Sequence, residues 1–325
     1  MAAQDLFDNI FYKSIENIIE EEQKKGTAAE KILNLLKTET LGKMYAESAA
    51  LASERSLETI EEIMYEKVLE NRALDDEFMA KQSQKWGKAF VASEAMYLCV
   101  LESVDSYVEF LNENHGEEIS YTYNALKIVH ARAMQIYLEI ITLDKNGFAD
   151  GAYARWRSLY ELSIISSFIK KYDEEVAKAF LESADTEDRY EWTRKAKCFK
   201  NLPKKYITFS DIQNNCELAT KEWKQEYNFA NKLVHASSQG TMYRLGDRVG
   251  NTIVAGKTDW GMAISAIHSA ISLAQITVDF FTVFHHGDSL IAVMTLHKWV
   301  EKISAYYTEV ENTCFSNKDY YEYVK

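Results

Sequence analysis

A single proline and 12 glycines serve all 325 residues. Sandwiches and barrels are built from many turns, and turns draw on Gly and Pro for backbone angles that other residues reach only at a cost. Helices are the architecture that tolerates such scarcity, because proline breaks them and glycine weakens them. The chain is therefore expected to be all-α: a multi-helix bundle of long antiparallel helices. One irregular stretch interrupts the pattern at about 240–261, where five of the glycines fall.

Apolar spacing divides the chain further. Residues 1–83 carry helical stripes such as Leu6, Phe7, Ile10 and Phe11, then Ile60, Ile63, Met64 and Val68. Thr27 is placed to cap a second helix after Gly26. The first 80 residues hold 18 acidic against 9 basic residues and supply −9 of the net charge of −13. This acidic segment has no residue set that looks chemical, and its stripes suit packing on a protein partner or a second copy of the chain. Residues 84–315 are the expected bundle core. A heavily apolar helix runs from about Gln84 to Gly116, a second from Ser120 as its cap to Gly147, and a third from Asp150, in cap position, to Tyr172. Residues 316–325 form a polar, tyrosine-rich tail.

The third of these helices is the informative one. In ADGAYARWRSLYELSIISSFIKKY, Arg157 and Glu161 share a narrow stripe with Ile164, Ile165 and Phe168, at about 100° per residue. Arg before Glu is the weaker order for a surface pair, and burying two charges costs several kcal/mol per ion before attraction returns any of it. Such a pair is either a structural tie that sets helix register or an anion-binding arginine held by its carboxylate. His130, in KIVHARAMQIY, and His235 are the histidines placed to join it. Asn228, Asn231 and Lys232 lie with His235 on a polar face of their helix, opposite Trp223, Tyr227, Ala230 and Val234. The run Arg194–Lys205, RKAKCFKNLPKK, has six basic residues and no acidic one. Its Arg194, Lys195 and Lys197 are the candidate phosphate contacts, the alternative being a solvated loop.

Several classes are excluded. The four cysteines are widely spaced with no CxxC pair, which removes the usual zinc pattern and implies a reducing, cytoplasmic setting. No HExxH, GxGxxG or GxSxG occurs, nor the Glu-x-x-His of di-iron bundles, so neither metal nor cofactor is expected. Gly256-Lys257-Thr258 resembles the end of a phosphate loop, but residue 251 is Asn251, where the loop's first glycine belongs. Met262–Phe284 approaches membrane-spanning length, yet His268, Gln275 and Asp279 would be expensive in lipid, so a core helix and no membrane association are expected.

The segments GFADGAYARWRSLYEL and EYNFANKLVHASSQGT resemble an uncharacterised bacterial family, the domain of unknown function numbered 5677, over roughly residues 85–300. More distantly, a helical bundle whose polar helix ends in His is similar to the HEPN group of all-α ribonucleases from toxin and phage-defence systems. That group's motif places an arginine shortly before the histidine. Here those places hold Asn228, Phe229 and Ala230, so the similarity is one of architecture. It implies a metal-independent ribonuclease-like effector, dimeric, with RNA as partner. Arg157 would hold phosphate, Glu161 orient it, and His235 move the proton. The alternative is a non-enzymatic interaction or ligand-sensing module in which Arg157–Glu161 is structural.

Overall fold

The computed structural model describes residues 3–114, 120–172, 174–235, 237–242, 245, 255–284 and 286–314. All regular elements among them are helical. They are α1 (Ala3–Lys24), α2 (Ala29–Leu35), α3 (Thr38–Asn114), α4 (Tyr121–Lys145), α5 (Ala149–Lys171) and α6 (Glu174–Glu182). A 3-10 turn at Glu191–Lys195 precedes α7 (Phe209–Asn214), α8 (Lys221–Val234), α9 (Ser238–Met242), α10 (Met262–Phe281) and α11 (Gly287–Cys314). The all-α bundle expected from the Gly/Pro scarcity is what forms. The tail at 316–325 and half of the glycine-rich stretch lie outside the described residues.

The chain separates into two units, Met1–Phe78 and Met79–Lys325. In the first, Phe7, Phe11 and Tyr45 pack ring against ring, with Phe7 and Tyr45 centroids 4.8 Å apart, and Ile10, Ile32 and Met44 are buried. Thr27 does not cap α2. Its hydroxyl turns back to Glu22 at 2.8 Å, and the α2 cap position falls to Ala28. The stripe expected at Ile60, Ile63, Met64 and Val68 is solvent-exposed. No helix ends near residue 83; α3 runs on through Gly87 to Asn114. The change in composition marks where α3 begins to bury side chains within the second unit.

In that second unit α4, α5, α10 and α11 pack together with the latter part of α3. Ser120 caps α4 as expected, accepting from the Tyr123 amide at 3.1 Å, and Gly147 ends the turn with φ of 76°. Asp150 is not the α5 cap. It lies inside the first turn, where its Oδ1 accepts from the Leu245 amide at 2.7 Å and so ties down the chain ahead of α10. The helix α10 is long and apolar enough to cross a membrane, but it is a core element, buried along most of its length.

Burial of α10 removes its polar side chains from water, so neighbouring helices must supply partners. Asp144 on α4 accepts from Ser265 at 2.7 Å, Ser272 pairs with Trp156 Nε1 at 3.1 Å, and Thr277 pairs with His130 at 3.0 Å. Asp279 accepts from Ser166 and Ser167 of α5 at 2.9 and 3.0 Å. These cross-helix pairs select one register among the many that apolar packing alone would permit.

The entry to α10 is set by Gly261, the left-handed N-cap at φ 84°. A Cβ there would lie 2.4 Å from the Leu245 carbonyl oxygen, whereas one at Gly256 would meet open space. Gly261→Ala is expected to destabilise the fold by about 2 kcal/mol or more, from the left-handed backbone and the clash together. Gly256→Ala is expected to stay within about 0.5 kcal/mol of wild type. Urea unfolding of the two variants checks both.

Candidate functional site

The central charges sit where α5 meets α8. Helix α8 starts at Thr220, whose hydroxyl accepts from the Trp223 amide, and it presents Trp223, Tyr227 and Ala230 to α5. Trp223 lies against Trp156 and Tyr160, with both centroid separations 5.9 Å. Tyr227 lies against Tyr160 and Phe209 at 5.4 and 5.1 Å. Val234, expected on the same apolar face, is exposed at the helix end. The aromatic wall holds α8 so that the Tyr227 hydroxyl reaches across to α5.

There it donates to Glu161 Oε1 at 2.7 Å. Arg157 meets the same oxygen at 2.8 Å, and Arg189 approaches Oε2 at 3.5 Å. Glu161 is buried, with its side chain 10% exposed against 26% for Arg157 and 71% for Arg189. One carboxylate thus stands between two guanidinium groups, and the three together carry an excess positive charge. The guanidinium carbon of Arg157 lies 5.6 Å from the Tyr227 ring centroid, close enough for a cation–π contact. Its Nε is buried with no hydrogen-bond partner among the described residues.

Electrostatics keep this arginine charged. Burial disfavours the charge, but the Glu161 carboxylate and the Tyr227 oxygen more than offset that and raise the Arg157 pKa above its ordinary value. Burial, reinforced by the neighbouring carboxylate, pushes the Tyr227 phenol up to about 12, so it remains a donor at neutral pH. Chemically this is an arginine pre-set for an anion: permanently charged, flanked by aromatic rings, and held on one edge by its own carboxylate.

The other residues singled out in the sequence fall elsewhere. His235 is exposed at the C-cap of α8, eight residues beyond Tyr227 and so about 12 Å further along the axis. Asn228 and Lys232 are exposed and Asn231 is half-buried. The Glu161 contacts found among the described residues come from Arg157, Tyr227 and Arg189, with no imidazole. His130 is buried on the α10 side of α4, where Nε2 meets Thr277 and the ring packs 5.3 Å from Phe280. Arg194 is a staple. It pairs with Glu191 at 2.8 Å and donates to the carbonyls of Lys204 and Lys205 at 2.6 and 2.9 Å. Lys204 in turn pairs with Asp211 inside the α7 capping box. Lys195 and Lys197 are exposed.

Two participants escaped sequence reading. Tyr227 was legible only as an apolar-face residue, although a buried tyrosine needs a partner for its hydroxyl, and that was the available signal. Arg189 lies in the irregular chain after α6, where no periodicity places a side chain. No cluster of three or more His, Cys, Asp or Glu residues able to hold a metal ion lies among the described residues.

The molecule is thus an all-α bundle with a half-buried arginine–glutamate–tyrosine centre between two of its helices. Residues 123–232, from the first turn of α4 to the last of α8, match the model of a family of unknown function, DUF5677. That segment is about a third of the chain, shorter than the span suggested by the sequence resemblance. It contains Arg157, Glu161, Arg189 and Tyr227, while His235 and helices α10 and α11 lie beyond it. No curated protein and no solved structure matches the chain.

His130 gives a stability signature. Burial lowers its pKa from 6.5 to about 4, so the folded protein keeps it neutral while the unfolded chain takes up the proton below 6.5. Its contribution is present above pH 6.5, is lost as pH falls to about 4, and amounts to about 3 kcal/mol over that window. Asp144 and Asp279, raised by burial, act in the opposite direction. The comparison with His130→Gln therefore isolates the histidine. Denaturant unfolding between pH 7 and 4 should show a shallower loss in the variant.

Proposed function

We propose that the chain is a cytoplasmic, non-catalytic ligand-sensing module whose Arg157 centre takes a small phosphate- or carboxylate-bearing ligand. The observation that carries this reading is the placement of Glu161 between Arg157 and Arg189. The carboxylate neutralises one guanidinium, leaving a net positive site lined by Tyr227. An entering anion would draw the exposed Arg189 away from its 3.5 Å contact and meet the free edge of Arg157. Exchange of one carboxylate partner for a ligand oxygen alters how the chain around Tyr190 is held against α5, which gives binding a conformational consequence.

The second reading is the metal-independent ribonuclease-like effector of a toxin or phage-defence type. It is favoured by the exposed Lys195 and Lys197, which follow Arg189 within eight residues. It further requires His235, or another acid/base, to approach the ligand held by Arg157.

Thermal unfolding with inorganic phosphate and pyrophosphate tests the first reading. Pyrophosphate is expected to raise the wild-type midpoint, with apparent affinity falling about five- to tenfold in Arg189→Ala, whose exposed side chain leaves the core intact, and His235→Ala unaffected. No stabilisation of the wild type overturns the anion site. Cleavage of single-stranded RNA that is lost in both Arg157→Ala and His235→Ala, with each variant folded, replaces the first reading with the second.

A further inference from the structure

A second feature of the larger unit shares no residue with the Arg157 centre. An apolar groove of about 470 Å³ lies between α3, α10 and α11, walled by Met96, Val100, Phe281, Leu296 and Trp299. Next to it is a polar recess of about 230 Å³ lined by Ser103, Ser106, His286, Asp288 and Ser289. Ser103, Phe281, Asp288 and Ala292 line both, so the two are adjacent, an apolar body beside a polar end. The volume of the groove falls in the range that holds small organic ligands.

The hydrogen-bonding state of the polar end defines the ligand's head group. The Ser103 hydroxyl donates to the Cys99 carbonyl at 2.8 Å and that of Ser106 to the Glu102 carbonyl at 3.1 Å. A hydroxyl has one proton, so both present lone pairs only. Tyr107 is already engaged: its hydroxyl donates to the Phe284 carbonyl at 3.3 Å and accepts from the Phe284 amide at 3.1 Å. Ser289 is 6% exposed, and its Oγ has no hydrogen-bond partner among the described residues. The carboxylate of the recess is Asp288, 3.9 Å from His286 Nδ1, and the His286 ring stacks on Phe110 at 3.8 Å. The recess is therefore rich in acceptors, and the Asp288 carboxylate also answers the positive end of α11.

We propose that this groove binds a hydrophobic primary amine, its apolar body between Met96, Phe281 and Trp299 and its ammonium group against Asp288 and Ser289. An ammonium brings three donors and a positive charge, which matches acceptor hydroxyls and a carboxylate. A carboxylate head would face Asp288 with like charge, and an alcohol would supply one donor and no charge.

Calorimetric titration with n-octylamine, 1-octanol and octanoate tests the assignment, together with maleimide labelling read by mass spectrometry. Cys99 lines the groove and Cys314, which does not, is also exposed and serves as the internal standard. Octylamine is expected to bind at least tenfold more tightly than octanol and to protect Cys99 while Cys314 labels at its usual rate. Asp288→Asn should lower octylamine affinity about tenfold, to the level of octanol. With its side chain 86% exposed, that substitution leaves the core untouched. Equal binding of all three probes, or unprotected Cys99 at saturating amine, overturns the proposal. So does protection of Cys99 that grows with protein concentration in the absence of amine, which assigns the groove to a second copy of the chain.

Discussion

A helix buried on most of its circumference cannot leave its polar side chains to water, and α10 has hydroxyls, an imidazole and a carboxylate along its length. The helices around it are placed by the need to answer those groups. Asp144 and His130 from α4, and Trp156, Ser166 and Ser167 from α5, each reach a particular α10 residue. Apolar contact supplies most of the driving force but is indifferent to small slips in register. The hydrogen bonds are not, because a shift of one residue would strand several of them in the core. The carboxyl of Asp279 shows the balance: burial raises its pKa, and hydrogen bonds from Ser166, Ser167 and Gln275 pull it back.

With α5 held on α10 by one face, its opposite stripe is left to face α8. That stripe carries Arg157 and Glu161, so the same packing that hides Trp156 presents the charged pair to Tyr227. The centre is held by its scaffold on two sides, by Tyr160 and Trp223 stacking and by the Tyr227–Glu161 hydrogen bond. Its third side rests on the exposed Arg189. The groove between α3, α10 and α11 follows from the same arrangement on another flank. Among the described residues, side chains there fill the core around Tyr107 and Phe280 and leave the groove along Trp299 and the recess at Ser289 open.

The all-helical class is legible in the near absence of proline and glycine, and helical phase alone puts Arg157 and Glu161 on one face. Helical periodicity is a local property, so it also revealed the Ser120 cap and the core character of α10. Tertiary structure alone decided which partners those residues take. Tyr227 reads as a packing residue until α8 is laid against α5, and Arg194 reads as a phosphate ligand until its guanidinium is found closing the loop at Lys204 and Lys205. Asp150 reads as a cap until Leu245, 95 residues on, arrives to take its carboxylate. A side chain's type and helical phase are written in its neighbours along the chain, but its hydrogen-bond partner is set by which elements pack together, and that depends on every helix at once.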